Sequence, residues 1–141
     1  MATDVKIVRL YVSSVANGTM DDTPNEVGGN PRPRFHLMLQ ADASDSAGDN
    51  KFSYRLIISA RSTSGNTTTF AARVLNERAG VPGEGWSSVG PQAGNNGYVK
   101  QSTYAIDAAD FQANGLYEFV GVLRMGDGSV STARSNEFFI S

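Results

Sequence analysis

The sequence predicts an all-β fold, a seven-stranded antiparallel sandwich, and three observations carry that reading. Apolar and polar residues alternate with a period of two along most of the chain. Clusters of Gly, Asn, Asp and Ser interrupt the alternating runs at short intervals, as turns between strands do. No segment carries a helical stripe, and "DAADFQANG" at 107–115 supplies one helical turn at most. A chain of 141 residues, 40% hydrophobic and 18% charged, suits a single domain spanning 1–141 around one core.

Each strand has its own signature. The first, at 4–15, reads "DVKIVRLYVSSV". The second, at 33–42, places Phe35, Leu37, Leu39 and Ala41 on one face. The third, at 51–62, does the same with Phe52, Tyr54, Leu56, Ile58 and Ala60. The fourth, at 67–78, turns Phe70, Ala72 and Val74 inward. The fifth is "GYVKQSTYAID" at 97–107. The sixth, at 115–125, points Tyr117, Phe119, Gly121 and Leu123 inward, and the seventh is "SVSTARSNEFFI" at 129–140. The stretches "STSGN" at 62–66 and "MGDGS" at 125–129 supply residues that tolerate the positive φ a hairpin needs. Irregular connections are expected at 16–32, 43–50 and 80–96.

The run "D-A-A-D-F-Q-A-N-G-L-Y" ahead of the sixth strand resembles the tyrosine corner of immunoglobulin-like domains. "Y-E-F-V-G-V-L-R", followed by a hairpin into "S-N-E-F-F-I", looks like the last two strands of such a domain. The resemblance implies an immunoglobulin-like β-sandwich. It also implies that the Tyr117 hydroxyl bonds upstream backbone and pins the connection between the fifth and sixth strands. The inter-sheet cysteine pair and the core tryptophan of the third strand are absent. The likeness is therefore to fibronectin-III-like, bacterial or viral variants rather than to antibody domains.

Composition excludes several chemistries. With no cysteine there is no disulfide, no thiolate catalysis and no cysteine-bound zinc. His36 is the single histidine and sits mid-strand between Phe35 and Leu37, where an outward-facing residue is expected. The Gly-rich "GEGWSSVGPQAGNNG" at 83–97 lacks the Lys-Ser/Thr and the following helix of a phosphate loop. Five Glu and nine Asp lie mostly in turns, where Asp serves turn geometry. No catalytic residue is expected. A net charge of −2 without a basic block argues against nucleic acid. No run approaches a bilayer span, and Lys6 and Arg9 interrupt any signal-like core. Cytoplasmic synthesis, or removal of a leader, is expected. "N-G-T" at 17–19 and "N-T-T" at 66–68 are glycan acceptors by pattern, with meaning only in a eukaryotic secretory setting.

Two surfaces stand out. If successive strands are antiparallel, the connections 43–50, 80–96 and 126–128 share one end, and 16–32, 63–66 and 108–114 the other. The first end gathers Asp42, Asp45 and Asp49, a candidate Ca²⁺ set, with Trp86, Tyr98 and Asp127 as candidate ligand contacts. Trp86 has two readings there, a lid folded back on the core or an exposed anchor for a sugar or a protein. The second surface is a strand face where Ile57, Val120 and Val122 point outward beside Arg55 and Arg124, a candidate subunit interface. The terminal strands add exposed edges for strand exchange, protected by Lys6, Arg9 and Glu137. The expected role is a non-enzymatic structural or interaction module, with protein partners or self-association, as a subunit of a virion, filament or surface array or as an adhesion domain. The alternative is a carbohydrate-binding module built on Trp86, with Ca²⁺.

Overall fold

The computed structural model describes residues 5–89 and 97–141; Asp4 and the 90–96 part of the long connection lie outside them. Two antiparallel sheets pack face to face and do not close into a barrel. The first contains β1 (Val5–Ser13), β4 (Arg34–Ala43), β8 (Tyr98–Asp107) and β7 (Trp86–Ser88), in that spatial order. The second runs β10 (Val130–Arg134), β9 (Gly115–Met125), β5 (Ser53–Ser62), β6 (Arg73–Arg78), with β11 (Phe138–Ile140) paired to the start of β9. A two-residue-per-arm hairpin, β2 (Glu26–Val27) and β3 (Asn30–Pro31), stands apart.

The inward alternation puts Phe35, Leu37 and Leu39 of β4 opposite Leu56 and Ile58 of β5 and Tyr117, Phe119 and Leu123 of β9, all buried. Side chains of both sheets thus fill one shared core. At one end of it the aromatic rings collect: Phe35, Phe70, Phe111, Phe119 and Phe138 lie with centroids 5.2–6.4 Å apart, mostly tilted or edge-on. In β1 a bulge at Val8 breaks the register between Ile7 and Arg9. It lets Ile7 and Leu10, three residues apart, both face the core and leaves Val8 outside.

Tyr117 behaves as the corner motif implies. Its hydroxyl donates to the Gln112 carbonyl at 2.6 Å, with the Thr67 carbonyl 3.2 Å away. A 3₁₀ turn at Ala108–Asp110 leads into Phe111, whose ring packs edge-on against Tyr117. The positive φ falls on Asn114 (63°), not on Gly115. Gly115 is needed for space, since a Cβ there would lie 2.4 Å from Asn66 Nδ2 and 2.8 Å from the Tyr117 hydroxyl. The hairpin turns use Gly65 (φ 85°) and Gly128 (φ 91°) for left-handed backbone.

Five expectations need correction. The chain forms eleven strands among the described residues, not seven. The seventh is broken at Ser135–Glu137 into β10 and β11. The break directs Asn136 Oδ1 to accept from Val12 N, while Ser135 Oγ accepts from Phe119 N. The fourth strand begins only at Arg73, because 67–72 leaves the sheet to meet the 110–112 turn through Thr67, Thr68 and Thr69. That detour resets the phase. Phe70 still packs on the core, but Arg73, Leu75 and Glu77 then face inward while Ala72 and Val74 face out, a one-residue slip. In the 43–50 connection, Ser44 caps a short helix α1 (Asp45–Asp49), its Oγ accepting from Ala47 N at 3.2 Å.

For the described residues the grouping of connections at the two ends is as expected. Gly80 packs against the Gly48 backbone and Ala79 N donates to Phe52 O at one end. Asn25 ties to Ser141, and Thr67 to Gln112, at the other. Replacing Tyr117 with Phe is expected to cost about 1–3 kcal/mol, because the Gln112 carbonyl loses its buried donor. The measurement is urea unfolding: the midpoint falls at unchanged slope.

Candidate functional site

At the first end the structure separates the candidate ligand residues. Trp86 is 2% exposed. It opens β7 after Gly85 (φ 91°), its Nε1 donates to Tyr54 Oη at 3.0 Å, and its ring meets Tyr54 edge-on at 6.1 Å. The lid reading holds, and the exposed-anchor reading is corrected: three residues of strand were enough to turn the indole into the core. Tyr98 lies across Gly48, where a Cβ would come within 2.0 Å of the ring, and its hydroxyl donates to Asp49 Oδ1 at 2.5 Å. That bond, helped by partial burial, raises the Tyr98 pKa. Asp127 sits in the β9–β10 turn, accepting from Ser129 N at 2.9 Å and from Ser129 Oγ, which lowers its pKa.

The three acidic residues are likewise dispersed. Asp42 is on β4, in register with Lys6 and Val99. Asp45 opens α1 beside Gly97, and Asp49 closes the helix against Tyr98. Among the described residues no three His, Asp or Glu side chains group to hold a metal ion. The expected Asp42–Asp45–Asp49 set is therefore not assembled, because α1 and Tyr98 take up its members separately.

Beneath this end lies a buried polar cluster that the alternation pattern did not suggest. Lys100 of β8, 2% exposed, points between the sheets at Glu77 of β6, with Nζ to Oε1 at 3.3 Å, and also bonds the Glu84 carbonyl. Tyr54 donates to the same Glu77 oxygen at 2.7 Å. The chain Trp86–Tyr54–Glu77–Lys100 thus links both sheets on the side where β6 faces β8. Its signal was present as a lysine in the inward phase of a strand, hidden by the phase slip that concealed Glu77.

The two outer faces differ. On the first sheet, Tyr11 and Met38 point outward yet are buried. The 14–20 segment roofs them: the Tyr11 hydroxyl donates to Gly18 O at 3.2 Å and Thr103 Oγ1 to Asn17 Oδ1 at 3.3 Å. His36 is on this face too, half-buried, its Nδ1 without a hydrogen-bond partner among the described residues. The second sheet carries no such roof. Ile57 and Val122 are direct cross-strand partners, flanked by Val74 on β6 and Thr132 on β10. Val120 lies one row along, opposite Ser59. The next row toward the first end runs Asn76, Arg55, Arg124, Val130. Val74 is 50% exposed and Val130 58%. An open groove of about 870 Å³ follows these rows, lined by Ile57, Val122, Val130, Arg55, Arg78 and Arg124. The expected interface residues Ile57, Val120 and Val122 thus share one surface, and the phase slip in β6 adds Val74 to it.

Compared with known proteins, the chain matches no family model, no curated protein and no solved structure. No helix among the described residues is long and apolar enough to cross a membrane.

Trp86 emission is expected to be blue-shifted and unmoved by acrylamide or by added sugars. A red-shifted, quenchable spectrum contradicts its placement. Burial, and then the bond to Glu77, push the Tyr54 pKa well above the ordinary phenol range. The folded chain therefore keeps a proton that the unfolded chain releases near pH 10. Stability from this group is full below about pH 10 and falls as pH rises beyond it. Tyr54→Phe is expected to make that fall shallower by about one proton, read from urea unfolding at pH 9–11.

Proposed function

We propose that the chain is a non-enzymatic structural or interaction module, an immunoglobulin-like sandwich that docks into a larger assembly through the outer face of its second sheet. The observation that carries this reading is the asymmetry of the two outer faces. On one, Tyr11 and Met38 are roofed by the chain's own 14–20 segment, and the other leaves Ile57, Val74, Val120 and Val122 in a contiguous strip. Apolar side chains that a chain does not cover on one face, while covering their equivalents on the other, fit a docking surface.

The immunoglobulin-like assignment is supported by strand order and by the corner. The order β1–β4–β8–β7 in one sheet, with β5, β9 and β10 adjacent in the other, follows the two-sheet arrangement of that architecture. The Tyr117–Gln112 bond sits at the crossing between sheets, as in a tyrosine corner. Because this architecture hosts many roles, the docking claim rests on the face itself.

Mapping by two-dimensional NMR with a mixed library of short peptides tests the reading. Shifts are expected on Ile57, Val74, Val120 and Val122. Val122→Asp is expected to abolish them while changing unfolding stability by less than about 1 kcal/mol, since the side chain lies outside the core. Shifts scattered over both sheets, or a Val122→Asp chain that does not fold, overturn the proposal.

A further inference from the structure

The docking face carries an electrostatic feature that narrows its partner, an inference that rests on the proposed docking role. Arg55 and Arg124 are direct cross-strand neighbours, both outward and exposed, so two guanidinium groups stand side by side. Like charges in that position destabilise a sheet. The same groove is lined by Arg78. Among the described residues none of the three has a carboxylate within ion-pair distance; the surface pairs formed are Arg34–Asp107 and Arg61–Glu118. Arg55 has only the Asn76 amide oxygen, at 3.3 Å. Glu77, at the groove margin, is turned inward to Tyr54 and Lys100. A chain of net charge −2 therefore sets three arginines that have no ion-pair partner among the described residues beside the apolar strip of this face.

We infer that this groove receives an acidic segment of a different protein, one that sets apolar side chains on Ile57 and Val122 and carboxylates on Arg55, Arg124 and Arg78. The chemistry selects this occupant in two steps. A guanidinium fork binds a carboxylate in bidentate fashion, and two neighbouring forks whose repulsion is relieved on binding favour an anion-bearing partner. The apolar floor separates a protein segment from a purely anionic polymer, which gains nothing from Ile57, Val122 and Val130. A second copy docked face to face is disfavoured, because both copies bring the same arginines to the interface while the carboxylate lining the groove, Glu77, is turned inward.

The probe is a capped peptide alternating valine and glutamate, compared with its glutamine and lysine versions by NMR titration and fluorescence anisotropy. The glutamate peptide is expected to shift Ile57, Val122 and the arginine side chains. It should bind at least tenfold tighter than the glutamine peptide at low salt and lose that advantage in 0.5 M salt. The Arg55→Glu/Arg124→Glu chain should reverse the preference toward the lysine peptide. The milder Arg55→Gln/Arg124→Gln pair should abolish it should the double reversal fail to fold. Equal binding of the glutamate and glutamine peptides sinks the acidic-partner inference and leaves the docking face standing. Concentration-dependent dimerisation abolished by Val122→Asp makes the occupant a second copy, with the same consequence. No shift on this face with any peptide removes both.

Discussion

The bond from the Tyr117 hydroxyl to the Gln112 carbonyl is the constraint on which the rest of the molecule depends. It stands where the chain leaves β8 in one sheet and enters β9 in the other. A strand that changes sheets must start in a defined phase, since a slip of one residue exchanges its core and solvent faces. Tyr117 packs against Phe111 and Phe138, and its hydroxyl is met by the Gln112 and Thr67 carbonyls. Fixing Tyr117 inward fixes Phe119, Gly121 and Leu123 inward. It therefore also fixes Val120, Val122 and Arg124 outward, so the inward ring cluster and the outward apolar strip are two results of one phase choice. β9 pairs with β5, β10 and β11, so the other strands of the second sheet take their register from it directly or through β5.

A two-sheet sandwich has two open sides, and this chain closes them by different means. Where β1 faces β10, side chains accept from edge amides: Ser131 from Ile7 N, Asn136 from Val12 N and Met125 Sδ from Val5 N. These amides would otherwise present a template for strand addition. Where β6 faces β8, a buried ion pair and two aromatic donors span the gap. A buried Lys–Glu pair adds little net stability over an apolar equivalent, but leaving either charge alone is costly. The cluster thus penalises any alternative packing of β6, β7 and β8 more than it stabilises the native one.

The sequence was most legible where alternation ran unbroken. The inward sets of β4 and β9 and most of β5 follow it, and Tyr117 was readable because a polar turn and Gly115 precede it. The grouping of connections at the two ends also followed from strand parity. Legibility failed where local structure is decided by contacts distant in the chain. The 67–72 segment has strand composition, yet it bonds the 110–112 turn and shifts the phase of β6. Trp86 looked like a loop residue because three strand residues between glycines leave no periodicity to read. Asp45 and Asp49 looked like free ligands because the capping role of Ser44 and the approach of Tyr98 are tertiary facts. Ile57, Val120 and Val122 are legible as candidate interface residues from one face of one strand pair, whereas their basic surround depends on the register that pairs Arg55 with Arg124.

The ends of the described chain lie at opposite poles. Val5 starts beside Met125, and Ser141 is bonded to Asn25 at the far side. Tension applied between those points runs along the strands, so the β1–β4 ladder is loaded in shear, with many hydrogen bonds sharing the force at once instead of parting one after another. The arginine-flanked groove faces sideways from the line joining the two points.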